Sequence, residues 1–177
     1  MAGYRFCSHG DTKDSGWLRR AIAGLNRLAF AYYDGVVVPR GSFVDWYTAR
    51  PGMDPRLCQA ALAGGELVSS VLVTVASMWL GGRRVQCGII DEVMTHPDHR
   101  RRGLASTLMD RALDAMASAG AAVSLLYTLE ANPVSGPQCL YEILGYRLCE
   151  RVDRFVALPG RPEAGHPARW ARSRQVT

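Results

Sequence analysis

The stretch IIDEVMTHPDHRRRGLASTLM, Ile89 to Met109, decides how the rest of the chain is read. It opens as an apolar run, breaks at Pro97, crowds Arg100, Arg101 and Arg102 together, and passes through Gly103 into helical apolar spacing. The first turn of a helix presents unpaired N–H groups and the positive end of the helix dipole. Gly103 and the small Ala105 let a ligand come close to that backbone. Three like charges at such a turn repel one another unless an anion sits there, so the turn is expected to hold phosphate. It is neither of two familiar phosphate loops. G-x-x-x-x-G-K-[ST] is absent, and no G-x-G-x-x-G follows a strand.

Upstream, ELVSSVLVTVASMWL is rich in β-branched residues, and GGRR turns it into VQCGIIDEVMT, which predicts a β-hairpin. Downstream, Leu104, Leu108, Ala112 and Ala115 share one face of a helix running to Ala119, which Gly120 stops. The apolar run AVSLLYTL then reads as a buried parallel strand. Pro137 begins a short helix, PQCLYEIL, that Gly145 ends. YRLCERVDRFVAL alternates like a final strand or hairpin arm. Nearer the start, residues 15–33 place Trp17, Ala21, Leu25, Leu28 and Tyr32 on one helical face, with Asp14 or Ser15 as N-cap. Residues 34–53 read as irregular. DPRLCQAALAGG predicts a short helix, with Pro55 near its start and Gly64 at its end. The class is α/β, with a βαβ unit around Arg100.

With 177 residues and 48% apolar content, the chain is expected to form one domain over residues 1–160. Residues 161–177 read as a basic, flexible tail containing Pro and Gly. No run of eighteen apolar residues would cross a membrane, and the N-terminus has no apolar signal region. The net charge of +5 suits nucleic acid, acidic surfaces or a polyphosphate ligand equally. No recognition helix with interleaved aromatics accompanies it, so neither nucleic acid nor membrane is expected as a partner. Five widely spaced cysteines without a Cys-x-x-Cys pair point to reduced thiols, and so to a cytoplasmic location. His96 and His99 lack further ligands at metal spacing and read as solvent-facing turn residues, so no metal is expected. Cys139 lacks a base in the sequence nearby and reads as packing.

Arg100-x-x-Gly103-x-Ala105 after Ile90-Asp91-Glu92-Val93-Met94-Thr95-His96-Pro97 resembles the acyl-CoA pyrophosphate motif of the GNAT superfamily of N-acyltransferases, with Thr95 where that family usually has Val. Asn132, Tyr141, Gly145 and Tyr146 follow in the family's order, so the resemblance covers about residues 65–157. LGGRRV, HPDHRRRGLASTLM and VSLLY are most similar in wording to the catalytic domain of the enhanced-intracellular-survival type of acetyltransferase. Those enzymes carry further domains and multi-acetylate aminoglycosides, and that substrate does not transfer to a chain of this length.

The resemblance implies a GNAT-like fold, a central mixed, mostly antiparallel twisted sheet with flanking helices. It implies acetyl-CoA, or another acyl-CoA, as donor and a small-molecule amine as acceptor. The backbone of Arg101, Arg102, Gly103, Leu104, Ala105 and Ser106 would hold the pyrophosphate, with the arginine side chains, Arg100 included, adding charge-assisted bonds. Val93 and Thr95 would pair with the pantetheine arm like an added strand. An N–H near Val93 or Met94 would polarise the thioester carbonyl, and Asn132 would bond a pantetheine amide, although Pro133 suits a turn equally. Glu92 is favoured over Asp91 as the base that takes the amine's proton. Adjacent residues on a regular strand face opposite ways, and the family's frequent bulge here leaves the choice open. Tyr141 would protonate the departing thiolate or else pack its helix. Tyr32, Tyr33, Trp46, Tyr47 and Trp79 fall where the family's acceptor pocket is flanked, with core packing as the alternative.

Three further readings share these motifs: an acyl carrier protein as donor partner, a hydroxyl acceptor, and a non-catalytic CoA-binding module. A homodimer, common in the superfamily, is a further expectation.

Overall fold

The computed structural model describes residues 3–30, 48–128 and 136–149. Five strands form one sheet in the order β1 (Tyr4–Ser8), β2 (Gln59–Ala63), β3 (Glu66–Leu80), β4 (Arg83–Thr95) and β5 (Val123–Leu126). The first four pair antiparallel and β5 joins β4 in parallel. Around it lie α1 (Ser15–Ala29), α2 (Leu104–Ser118) and α3 (Pro137–Ile143). This is the mixed, mostly antiparallel sheet that the resemblance implies.

The β3–β4 hairpin turns at Gly81-Gly82, both with positive φ (56° and 77°), the two-residue geometry that matches strand twist. The two helices take opposite faces of it. Ser70 meets His9 just before α1, and Leu72 shares a cavity wall with Leu18 and Ile22 of α1. The alternate residues face α2: Gly88, opposite Val75, lies against Met116, and Gln59, opposite Val71, accepts from Arg111 (3.1 Å). Leu104, Leu108, Met109, Ala112 and Met116 are the buried face of α2. Ala115, expected on that face, is half-buried beside it. Gly120, at φ 86°, follows the C-cap as predicted.

Four expectations are corrected. Residues 54–65 hold strand β2 rather than a helix. Gln59, Ala60, Ala61, Leu62 and Ala63 are helix-compatible residues, but pairing on both edges and near-complete burial override propensity. The buried face of α1 is Leu18, Ile22, Leu25, Asn26 and Ala29, with Trp17 and Ala21 half-buried and Leu28 47% exposed. The expected stripe is rotated because a polar residue, Asn26, faces the core. Strand β5 is half-buried rather than buried. Its remaining features agree: it is parallel to β4, and Asp14 caps α1 by accepting from Trp17 N–H (2.8 Å). Residues 146–149 are not strand, and the rest of that expected strand, the helix beyond Phe30 and the 161–177 tail lie outside the described residues. Strand β1 was not anticipated at all.

Candidate active site

The regular pairing of the hairpin breaks once. Ser70 lies opposite Met94 and Leu72 opposite Asp91, so Val71 alone faces both Glu92 and Val93. This is a β-bulge, and its first residue, Glu92, has φ 49°. A side chain other than Gly pays about 1–3 kcal/mol to sit there, so the surrounding structure must hold it. The bulge also settles which way the acidic pair points. Asp91 shares the α1 face with Leu72 and Thr74, and the extra residue turns Glu92 to that face as well.

There the two carboxyls meet different partners. Arg50 binds Asp91 through Nη2 and donates from Nε to Thr74 Oγ1 (2.9 Å). Glu92 Oε2 accepts from Asn26 Nδ2 of α1. Burial away from water, and next the charge of Asp91, push the Glu92 carboxyl up to about 7, while the Asn26 amide and then Arg50 pull the other way. Asn26 is 3% exposed, and its Oδ1 has no hydrogen-bond partner among the described residues. An unsatisfied buried acceptor costs about 1–3 kcal/mol, so it marks a position held for a reason other than packing.

The bulge lies where β4 loses a neighbour. The β4–β5 ladder runs from Cys87/Val123 to Ile90/Leu126 and stops, whereas the β3–β4 ladder continues to Thr95. His96 N–H donates to Val68 O on the β3 side (2.8 Å). Alternation along the strand then directs the backbone groups of Met94 toward β3 and those of Val93 and Thr95 toward the gap. Met94 itself is fully buried, and its carbonyl accepts from Ser69 Oγ (2.7 Å). Past a short 3-10 turn, Pro97–His99, comes the N-terminus of α2. Gly103 is its N-cap at φ 74° without a capping side chain. The first intrahelical bond of α2 is Thr107 N–H to Gly103 O, so the N–H groups of Leu104, Ala105 and Ser106 precede it and have no partner in the helix. A strand edge ready to accept an extended amide-bearing arm thus runs toward a helix N-terminus ready for phosphate.

This geometry agrees with the comparisons. The family model for the acetyltransferase (GNAT) domain matches residues 19–149. The chain belongs to the GNAT acetyltransferase family. It is therefore an acetyltransferase. No curated sequence matches it. Among solved structures it is similar to an aminoglycoside acetyltransferase from an uncultured soil metagenomic sample (22% identity, 89% of this chain, 97% of that one, TM-score 0.59). It is also similar to an aminoglycoside N-acetyltransferase in complex with CoA (14%, 87% and 94%, 0.63). A third is glucosamine-6-phosphate N-acetyltransferase from Arabidopsis thaliana (13%, 89% and 99%, 0.59). At these identities the likeness is one of GNAT fold.

Within this GNAT domain the arginine triplet is divided. Arg100 Nη2 donates to Ala29 O at the end of α1 (2.8 Å), and its Nε to Thr95 O (3.3 Å). Arg102 donates to Tyr4 Oη (3.0 Å) and to Asp98 O (2.9 Å). Carbonyl and hydroxyl partners thus answer much of the expected repulsion without an anion. Arg101, exposed at φ 60°, is the one whose described contacts include no such bond. It shares with Glu92 the positive φ found at no other described residue except glycines.

Tyr141 is buried on α3 and meets Tyr146 edge-on, their centroids 6.1 Å apart. Tyr146 Oη in turn bonds Ser124 Oγ of β5 (2.6 Å). His96 and His99 are half-buried rather than solvent-facing, because Tyr4 Oη bonds His99 Nδ1 (3.0 Å) and the two rings meet edge-on. Trp79 is 73% exposed near the hairpin tip, opposite Arg84 and seven residues along β4 from Asp91. That is about 23 Å of strand, which removes it from the acidic pair. Asn132, Tyr32, Tyr33, Trp46 and Tyr47 lie outside the described residues. Asn26 and Arg50 are the partners that sequence reasoning missed.

On the same face, a cavity of about 310 Å³ opens between α1 and residues 48–58. Leu18, Ile22, Met53 and Leu72 form its apolar lining, with Thr12 and Ser15 among its polar groups. Leu72 is the residue paired with Asp91. Among the described residues, no three His, Cys, Asp or Glu converge as metal ligands, and no helix is long and apolar enough to cross a membrane.

Proposed function

We propose that the chain moves an acetyl group from acetyl-CoA to the amine of a small molecule, by direct attack in a ternary complex. The observation that carries this reading is the position of Glu92. The bulge puts a carboxyl held at about 7 where the outer edge of β4 comes free. In this reading Val93 and Thr95 offer backbone bonds to the donor's arm. Leu104, Ala105 and Ser106 offer N–H groups to its pyrophosphate, and Arg101 adds charge. Met94, its side chain in the core and its backbone turned to β3, offers the donor no group. Bound acetyl-CoA supplies an activated acyl group.

Glu92 takes the proton of the acceptor's ammonium group, and a carboxyl near 7 is matched to that work at neutral pH. Asp91, ion-paired with Arg50, supplies the neighbouring charge rather than the base. Tyr141 delivers the proton to the departing thiolate, and Tyr141→Phe should lower kcat without changing acetyl-CoA affinity. The cavity walled in part by Leu72, the residue paired with Asp91, is of a size for a small organic acceptor, and the similar aminoglycoside and amino-sugar enzymes have acceptors of that kind. The likeness to the enhanced-intracellular-survival type remains one of motif wording. A carrier-protein donor and a homodimer draw no support from the described residues.

Calorimetric titration with acetyl-CoA, then transfer to a panel of aminoglycosides, polyamines and amino acids, tests the reading. Binding in the micromolar range, about −8 kcal/mol, with transfer to at least one amine is expected. Binding without transfer to any amine, by the intact protein, would replace it with a CoA-binding role.

A further inference from the structure

One buried group is left over from this chemistry. Asn26 sits on the core face of α1 among Leu18, Ile22, Leu25 and Ala29, where an apolar side chain would pack as well. Its Nδ2 donates to Glu92, and its buried Oδ1 has no partner among the described residues. The groups around Glu92 are few. Asp91 comes from its own strand and Arg50 from the segment before β2. On α1, Arg27 is exposed and turned back to Ala23 O, and Arg100 caps the helix end at Ala29 O. Asp91 is engaged by Arg50. That leaves the Asn26 amide as the direct hydrogen-bond partner of the Glu92 carboxyl among the described residues.

An amide matches a carboxyl in both protonation states. To the carboxylate it donates from Nδ2. Once the carboxyl carries a proton, its O–H is the donor that Oδ1 lacks. We propose that Asn26 is the positioning residue of the base, fixing Glu92 in the carboxylate form through Nδ2 and receiving the O–H of the protonated form at Oδ1. This rests on the general-base reading of Glu92 above. The bond to the charged form is the stronger of the two, so Asn26 on balance favours the carboxylate, and removing it should make Glu92 easier to protonate.

The test uses Asn26→Leu, which keeps the branching and removes both polar atoms, and Asn26→Asp, which keeps the shape and removes the donor. Three readouts are needed: the pH dependence of kcat/KM, acetyl-CoA affinity, and an infrared titration of the Glu92 carboxyl, identified as the band lost in Glu92→Gln. In both variants the acidic midpoint should move to higher pH by both kinetics and infrared. In Asn26→Leu, kcat should fall about tenfold as the base loses its orientation, with acetyl-CoA affinity unchanged. In the Glu92→Gln background, Asn26→Leu should cost nothing further. A midpoint that stays put in a folded variant, or an equal loss in the Glu92→Gln background, overturns the proposal. The infrared arm needs no acceptor, so it separates the two readings. A midpoint that moves while Glu92→Gln leaves turnover intact would sink the general-base reading and sustain the Asn26–Glu92 coupling.

Discussion

The two edges of β4 have different fates. On the β3 side the strand is paired from Arg83 to Thr95 with one bulge; on the other side, among the described residues, pairing covers Cys87 to Ile90. The paired half is built for packing: Gly88 leaves room for Met116, and Cys87 and Ile90 are nearly inaccessible. The half-free stretch carries the backbone strain, the two carboxyls and the unpaired edge. In the proposed reading, stability and chemistry occupy successive segments of one strand, and substitutions should separate them.

The largest expected effect falls on the half-free segment. Glu92→Gln should lower kcat at neutral pH by about a hundredfold or more, the usual scale of a general base, with acetyl-CoA affinity held. Steady-state kinetics alongside calorimetry would read both, and equal losses would break the comparison. On the paired segment, Gly88→Ala would set a Cβ 2.0 Å from Met116 Sδ. Met116 is a flexible but buried side chain, so the loss should be about 1–3 kcal/mol, read by denaturant unfolding. The specific activity of the folded fraction should stay near that of the parent.

Glu92→Gln should also act on stability, in the opposite direction to its effect on rate. The folded Glu92 has its carboxyl raised from 4.5 to about 7. The fold thus favours the protonated form, and this contribution is complete below 4.5 and lost as pH rises through 7. At pH 8 the parent buries a charge that glutamine does not carry. The variant should be more stable there by about 1–2 kcal/mol, a discounted figure for a half-buried group, with no such gain at pH 4. A pH series of thermal melts would show it. His9 carries the other sign. Burial lowers it from 6.5 to about 4 while its Nε2 bonds Ser70 Oγ, so its contribution is whole above 6.5 and fades as pH falls toward 4.

The smallest effect separates the arginines. Arg101→Ala should weaken acetyl-CoA binding by only a few-fold, more at low salt, because an exposed charge is well screened. It should leave stability unchanged. Arg100→Ala should instead destabilise the fold, since it removes the tie between the end of α1 and Thr95.

Much of this strand was legible because local and global signals agree there. Gly-Gly between β-branched runs gives the hairpin, and Gly103 and Gly120 bracket α2. The order of Asp91, Glu92, Arg100 and Gly103 led to the family. Strand β2 was not legible, since Ala, Leu and Gln favour helix and only burial between β1 and β3 makes them strand. Five residues, Tyr4–Ser8, are too few for a period to show, so β1 was missed. The α1 face was misjudged by about one residue, and that error hid Asn26. Read in register with Leu18, Ile22, Leu25 and Ala29, Asn26 would have stood out as a polar residue on a core face. Arg50 had no local signal, because its partner Asp91 is 41 residues away. The division of labour among the arginines rests on two partners from distant elements, the Ala29 carbonyl and the Tyr4 hydroxyl, which no sequence pattern marks.

The central claim is that the free edge of β4 and the first turn of α2 together form the donor site. Amide hydrogen exchange, measured residue by residue with and without acetyl-CoA, tests it most directly. The N–H groups of Val93, Thr95, Leu104, Ala105 and Ser106 should slow markedly on binding, while those of Cys87 to Ile90, already paired, should change little. Protection confined to other parts of the chain, with these five amides exchanging as before, would contradict the account.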